Sequence, residues 1–424
     1  MCRAGRLFLA LALLAPSGVA AQNRVLLEAE LERLQTALRI PAMSAAVVEG
    51  GTIVWVRHFG LKAAPGDPVR YPIASLTKPF AAALALREAE RGRLALDAQV
   101  ARPDGATARV RHLLSHTAAG TPGVRFVYSS ELYRLLDAPL ARAAGAPLPE
   151  ALVADVIKPL GLRHTVAGSG VTASEGLEST VEDVAQFAAG IERGAILSPA
   201  STAEMFRAPR AGTGRAFPSA LGWFVQQIGG EQVRWHFGQQ ADASGLLINL
   251  PRRRLTFVVL ARGDRLTAPF WLQFGDLRWS PAAAAFLSAW ARVRIDLPEA
   301  RRIMMDAVVA LSKGARAEGV ALAKRASVIA APLANGPEPV LLAVFARSGD
   351  RELREMGRRI ARRLLETDAD HPRVLLDLAV LNLQDGQAEE GTRLLGKILA
   401  DKQFTPEIER TVKELLARRT ESPA

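Results

Sequence analysis

Seven apolar residues in a row, Phe80 to Leu86, follow Pro79 without a polar interruption. A run that is apolar on every side belongs inside a domain, and its length and alanine content read as a buried helix. The segment that opens it is Pro72-Ile73-Ala74-Ser75-Leu76-Thr77-Lys78-Pro79-Phe80. Ser75 and Lys78 are three positions apart, nearly one helical turn, so both side chains leave from one face. Ser75 also stands at the positive, N-terminal end of the helix dipole. A serine hydroxyl is a weak nucleophile at neutral pH and needs an adjacent base. A lysine serves as that base only when burial or neighbouring cations depress its pKa. The helix start therefore suits an activated nucleophile, and it is the one Ser-x-x-Lys in the chain.

Four further segments follow it in order. They are Leu113-Leu114-Ser115-His116-Thr117-Ala118-Ala119-Gly120, Val127-Tyr128-Ser129-Ser130, Pro159-Leu160-Gly161-Leu162-Arg163-His164-Thr165 and His236-Phe237-Gly238-Gln239. Supporting matches are Ile40-Pro41, Glu178-Ser179-Thr180-Val181-Glu182-Asp183 and Leu221-Gly222-Trp223. Over about residues 24–292 this ordered set resembles the serine β-lactamase and penicillin-binding-protein superfamily. More narrowly, it is similar to the class C-type branch, which holds β-lactamases, D-alanyl-D-alanine carboxypeptidases and family VIII-like esterases. The motifs of that branch are Ser-x-x-Lys, Tyr-x-Asn and Lys-Thr-Gly or His-x-Gly.

The resemblance implies an α/β fold in which an antiparallel sheet carries flanking helices and a helical subdomain. It implies that Ser75 attacks a carbonyl to form an acyl-enzyme, with Lys78 and Tyr128 sharing the proton; either could be the base of acylation, and Tyr128 would activate the deacylating water. Backbone N–H groups of Ser75 and Gln239 would form the oxyanion hole, with His236 and Gly238 lining the opposite wall and the glycine letting a substrate lie close to the strand. Two positions depart from the pattern. Ser130 stands where asparagine is common, and a hydroxyl lacks the paired amide donor and acceptor that would grip a peptide or β-lactam side chain. His236 stands where β-lactamases have lysine, and a mostly neutral imidazole holds a substrate carboxylate less firmly. Both tilt the expectation toward ester hydrolysis.

The chain has 424 residues, 49% of them hydrophobic, which is enough for more than one core. Met1 to Ala21, with Arg3 and Arg6, an apolar stretch from Leu7 to Ala15 and Gly18-Val19-Ala20-Ala21, has the layout of a secretory signal peptide and predicts a secreted or periplasmic protein. Cys2, the single cysteine, lies inside it, so the mature chain is expected to hold no thiol or disulfide. The formal charge of +11 comes mainly from scattered arginines, with clusters at Arg252-Arg253-Arg254 and at Arg358-Arg359 with Arg362-Arg363. These read as solvated faces rather than as sites for anionic polymers, and nucleic acid is not an expected partner.

The expected domains are a signal peptide over 1–21, a hydrolase domain over 22–295 and a helical region over 296–424. In the hydrolase domain, a helix is predicted over Val25 to Leu38 and a hairpin from the strands Met43 to Val48 and Thr52 to Phe59 about Glu49-Gly50-Gly51. Thr180 or Ser179 caps a helix through Ile191. Strands return at Leu221 to Ile228, Gln232 to His236, Gly245 to Asn249 and Leu255 to Ala261, and Pro281 to Arg292 is a helix packed on that sheet. Beyond Pro298, Pro372 to Leu383, Ala388 to Leu399 and Thr405 to Leu416 form an amphipathic pattern reminiscent of tetratricopeptide repeats, without their diagnostic tryptophan and tyrosine. This region reads either as a solenoid for a protein partner or as an appendage packed on the hydrolase domain.

His112 and His116 have the spacing of two metal ligands, but no Glu completes a His-Glu-x-x-His, and no metal or other cofactor is expected. The histidine of the Leu-Leu-Ser-His-Thr segment is instead expected to tie a loop together, and His58, His164 and His371 to be structural. There is no Gly-x-Ser-x-Gly elbow and no glycine-rich phosphate loop. The resulting expectation is a serine hydrolase acting on small-molecule esters or cell-wall-like amides. β-Lactamase or D-Ala-D-Ala carboxypeptidase activity is the alternative within the class. Outside it stands a non-catalytic periplasmic binding or scaffold protein, against which the intact Ser75, Lys78 and Tyr128 argue.

Overall fold

The computed structural model describes residues 18–61, 68–212, 214, 216–295, 299–329, 342, 345–346, 349–367, 370–401 and 406–420. Residues 1–17 of the expected signal peptide and Thr405 lie outside them. The last residues of that peptide begin the helix Gly18–Leu38, which contains the helix expected from Val25.

Six antiparallel strands form the central sheet, in the spatial order Thr52–Phe59, Met43–Glu49, Leu255–Arg262, Ala243–Leu250, Glu231–Gln239 and Phe224–Ile228. The hairpin at Gly50 and Gly51 has both glycines at positive φ, the conformation that favours glycine. The central strands are almost continuously apolar because both faces of the sheet are covered. Successive side chains point to opposite faces. In Leu255–Arg262 the side chains of Leu255, Phe257, Val259 and Ala261 join one apolar cluster, and those of Val258 and Leu260 join the other.

On the first face lie the helix Gly18–Leu38 and the helix Pro281–Ala285, which continues as a π-turn over Phe286–Trp290. Phe286 stacks on Phe257 with ring centroids 4.6 Å apart. On the second face the helices Thr77–Glu90 and Val181–Glu192 meet through Phe80 and Phe187, stacked at 3.8 Å. Thr180 caps the latter helix, its Oγ1 accepting from Asp183 N at 3.2 Å. The expected run Phe80–Leu86 is buried throughout.

Of the strand boundaries that differ from those expected, one has a clear steric cause. The edge strand begins at Phe224 rather than Leu221, because Gly222 turns at φ 75° against the helix that carries Lys78. A Cβ at Gly222 would fall 2.4 Å from the Ala82 Cβ and 3.1 Å from the Lys78 carbonyl oxygen. The neighbouring strand does not stop at His236 but runs to Gln239.

The C-terminal region is helical, as expected. Helix Glu299–Ser312 pairs with Arg316–Ile329, and Pro372–Gln384 with Ala388–Asp401. Gly319 sits so close to Leu311 and the Ala307 carbonyl that a side chain would collide, and the same fit recurs at Gly391 against Leu383 and the Ala379 carbonyl. Buried residues of this region, among them Met304, Phe345, Leu381, Leu395 and Val412, belong to the same apolar cluster as Phe257 and Phe286. Arg125 donates to the Asp370 carbonyl at 3.0 Å, and Arg373 lies over the Trp271 ring at 5.5 Å. The arginine clusters are not all solvated: Arg358 is buried and paired with Asp385 and Glu355. Its two carboxylate partners explain how a guanidinium is held there. Among the described residues no helix is long and apolar enough to cross a membrane.

Candidate active site

The nucleophile turn is fixed from several sides. The two-residue strand Tyr71–Pro72 pairs with Leu177–Ser179, and the Ile73 N–H donates to the Leu177 carbonyl at 2.9 Å. Ala74 then enters the left-handed region at φ 48°, a conformation uncommon for a residue with a Cβ and one that concentrates at functional sites. A 3₁₀ turn over Ala74–Leu76 leads into the helix Thr77–Glu90. Ser75 therefore sits in the turn just before the N-terminus of the helix, and Lys78 comes round on the same face.

Lys78 Nζ donates to Ser75 Oγ at 2.8 Å, to Ser130 Oγ at 3.1 Å and to the Ser174 carbonyl at 3.1 Å. Three acceptors match the three protons of an ammonium. The side chain is fully buried, and burial holds its pKa down at about 7; Arg134 adds to the depression, whereas Glu175 and Glu407 pull it back up. Near neutral pH a large fraction of Lys78 is thus the free amine, with a lone pair beside the serine hydroxyl. The expected pairing of Ser75 with a depressed lysine is what the geometry provides.

Tyr128 closes the group. Its ring lies 5.1 Å from Lys78 Nζ, and Tyr133, whose hydroxyl donates to the Lys78 carbonyl at 3.1 Å, lies 5.4 Å away. Burial pushes the Tyr128 phenol up. The neighbouring Ser75 and Ser130 hydroxyls oppose that rise, although the phenol oxygen meets no partner at full hydrogen-bond geometry. Tyr128 is therefore a protonated phenol at neutral pH. Ser130 stands within the group, its hydroxyl turned to Lys78.

His116 does tie a loop together. It follows the short helix Val110–Leu114 at φ 55°, its Nδ1 accepts from the Ser129 N–H at 3.2 Å, and its ring packs on Tyr128 at 4.2 Å between centroids. Burial keeps it neutral, its pKa well below the usual histidine value. His112 is elsewhere, accepting from the Arg109 N–H at 3.3 Å. Among the described residues no three His, Cys, Asp or Glu side chains are grouped to hold a metal.

His236 is buried and neutral, its pKa lowered to about 3 by burial first and by Lys78 second. Nδ1 lies 2.7 Å from the Phe237 carbonyl oxygen, which can only accept. Nδ1 therefore carries the proton, and Nε2, which has no partner, is an acceptor. An acceptor cannot donate to a substrate carboxylate.

Gly238 packs against the nucleophile turn. A Cβ there would fall 2.4 Å from the Ile73 carbonyl oxygen and 3.4 Å from the Ala74 Cβ. The glycine lets the strand approach the nucleophile turn, which brings Gln239 beside it. The Gly238 carbonyl in turn accepts from Thr267 Oγ1 at 2.9 Å.

Three participants carry no signal in the sequence. The Ser174 carbonyl is a main-chain group, and no residue type marks it. Glu175 accepts from Arg134 and, at 3.3 Å, from Gln240 Nε2, so it links the segment after Tyr128 to the strand end after Gln239. Glu407 comes from the C-terminal helices, far from every motif.

Several solved structures share this architecture. The octameric penicillin-binding protein homologue from Pyrococcus abyssi is 20% identical, with a TM-score of 0.55 over 66% of this chain and 80% of that one. D-amino acid amidase from Ochrobactrum anthropi SV3, complexed with L-phenylalanine, is 18% identical, with a TM-score of 0.52 over 64% of this chain and 98% of that one. EstCE1, a hydrolase with promiscuous acyltransferase activity, is 18% identical, with a TM-score of 0.51 over 63% and 99%. At these identities the likeness is one of fold. A comparison with curated proteins gives no match. The Beta-lactamase family model matches residues 27–270, more than half of the chain and every element that carries Ser75, Lys78, Tyr128 and His236, and the chain belongs to that family.

Proposed function

We propose that the protein is a serine hydrolase that acts through an acyl-enzyme on Ser75 and prefers esters to amides. The observation that carries this reading is the buried Lys78 amine 2.8 Å from Ser75 Oγ, with its pKa brought down to about 7. In acylation Ser75 Oγ bonds to the substrate carbonyl carbon, and its proton passes to Lys78 Nζ. The oxyanion is held by the N–H groups of Ser75 and Gln239. The tetrahedral intermediate collapses with loss of the alcohol or amine, which takes a proton from the Tyr128 hydroxyl; Lys78 returns that proton to Tyr128. Water then attacks the acyl carbon by the reverse relay, giving a carboxylic acid and free Ser75. The pKa directions support a division of roles in which Lys78 is the base and Tyr128, held as the phenol, passes protons on.

Two residues support the ester preference. Ser130 has its hydroxyl engaged by Lys78 and offers no amide to a peptide or β-lactam side chain. His236, neutral and accepting at Nε2, gives a substrate carboxylate neither charge nor donor. The leader-like Met1–Ala21 supports a site of action outside the cytoplasm.

Turnover across short-chain esters, cephalosporins and acyl-D-Ala-D-Ala peptides tests the reading, with Ser130→Asn as the sharpest comparison. One regained hydrogen bond to a neutral group is worth roughly 0.5–1.5 kcal/mol, up to about tenfold. The variant is expected to raise kcat/KM for the cephalosporin or peptide by that factor relative to p-nitrophenyl butyrate. An unchanged ratio in a folded variant removes Ser130 from substrate selection, and a parent that turns over peptides faster than esters reverses the preference.

A further inference from the structure

The helix Pro406–Thr420 belongs to the C-terminal region, outside the part of the chain that matches the family, yet its first turn reaches the catalytic segment. Ser129, between Tyr128 and Ser130, is almost fully buried. Its Oγ donates toward the Glu407 carboxylate, 3.0 Å from Oε1 and 2.8 Å from Oε2, and accepts from the Leu132 N–H at 3.0 Å. The Glu131 N–H donates to Glu407 Oε1 at 3.0 Å. One carboxylate thus takes hydrogen bonds from both sides of Ser130. Ile408 and Val412 bury the apolar face of the same helix, and Arg410 pairs with Glu131 beside it.

We propose that Glu407 is a positioning residue of the active site, clamping Tyr128-Ser129-Ser130 so that the hydrolase domain is complete only with the C-terminal helices docked. The inference rests on the acyl-enzyme reading for its catalytic consequence but not for the clamp itself. Tyr128 and Ser130 both approach the Ser75–Lys78 pair, and a segment free to shift by an ångström loses the alignment that proton transfer requires. The clamp also brings a negative charge toward Lys78. The other charged or titratable groups that face Lys78 are Glu175, Arg134, His116, His236, Tyr128 and Tyr133. Of the charged three, Glu175 and Glu407 raise its pKa and Arg134 lowers it.

The test uses the full chain, Glu407→Ala and Glu407→Gln, with two readouts. Amide hydrogen exchange over residues 126–136 reads the clamp. The rate at which a fluorophosphonate labels Ser75, followed against pH, reads its effect on the nucleophile. Glu407→Ala is expected to speed exchange in that segment and to slow labelling about ten- to a hundredfold, the range for losing hydrogen bonds to a charged group. Glu407→Gln keeps an acceptor without the charge. It is expected to restore most of the protection and rate, and to move the acid limb of the profile to lower pH, because Lys78 loses one charge that raised its pKa. A merely structural contact would not shift that limb.

Unchanged exchange over 126–136 in both variants, with the parent's labelling rate and profile, overturns the proposal. Faster exchange in Glu407→Ala alongside a parent that never labels at Ser75 upholds the clamp and overturns the acyl-enzyme reading instead. If Glu407→Ala does not fold, Glu407→Gln decides: an unshifted acid limb counts against Glu407, and a shifted one for it.

Discussion

Lys78→Met is expected to lower kcat by about 10²–10⁴-fold, the usual contribution of a positioned proton acceptor, while making the folded protein more stable at neutral pH. The two effects have one cause. A lysine whose pKa is about 7 in the fold and 10.5 when unfolded binds more protons in the unfolded chain across that window. Its presence therefore lowers stability as pH falls from about 10.5 to 7, and below 7 the cost is fully present. A shift of this size corresponds to up to ~5 kcal/mol. Three lost hydrogen bonds at roughly 1 kcal/mol each offset part of the gain, leaving a net stabilisation of about 1–3 kcal/mol. Methionine is unbranched and fills nearly the same volume, so it leaves little cavity. Denaturant unfolding at pH 7 and pH 9.5 checks the sign: the parent gains stability between the two from this residue, and the variant loses that gain. A variant with near-parent kcat contradicts the base role, and one less stable than the parent at pH 7 contradicts the account of the buried amine.

A chain ending at Arg294 is expected to be insoluble or to unfold at much lower denaturant than the full chain, with hydrolysis lost. The helix Glu299–Ser312 packs against Gly18–Leu38 and the turn Ala268–Phe270, and the apolar cluster runs from Leu27 through to Val412 without a break. Uncovering a few large apolar side chains at about 1.5–3 kcal/mol each uses up most of a typical stability of about 5–15 kcal/mol. Soluble expression of the shortened chain with parent kcat would show the helical region to be an independent unit.

The parts of the fold that rest on short-range chemistry were legible. Glycines at the hairpin, the short apolar runs of Met43–Glu49 and Leu255–Arg262, and the cap at Thr180 each act within a few residues, so their patterns survive in the sequence. The Ser75–Lys78 pair was legible for the same reason, since helix geometry alone brings the two side chains together. Gly238 and Gly222 were visible as glycines, but what they approach, the Ile73 carbonyl and the Lys78 helix, is set by packing across the domain. That is why the strand start at Gly222 was misplaced and the contact of Gly238 with the nucleophile turn was not foreseen. Glu407 lies 278 positions from the Ser129 it binds, in a helix whose acidic residues look alike until it is docked. Nothing local distinguishes it.

The most direct measurement of the central claim is peptide-resolved mass spectrometry after exposure to a fluorophosphonate. The account predicts one adduct, on the peptide containing Ser75. It predicts rapid labelling above about pH 7, where Lys78 is the free amine, and slower labelling below it. In Ser75→Ala both the adduct and ester turnover are expected to vanish. An adduct on another serine, or a folded Ser75→Ala that still hydrolyses p-nitrophenyl butyrate at the parent's rate, would contradict it.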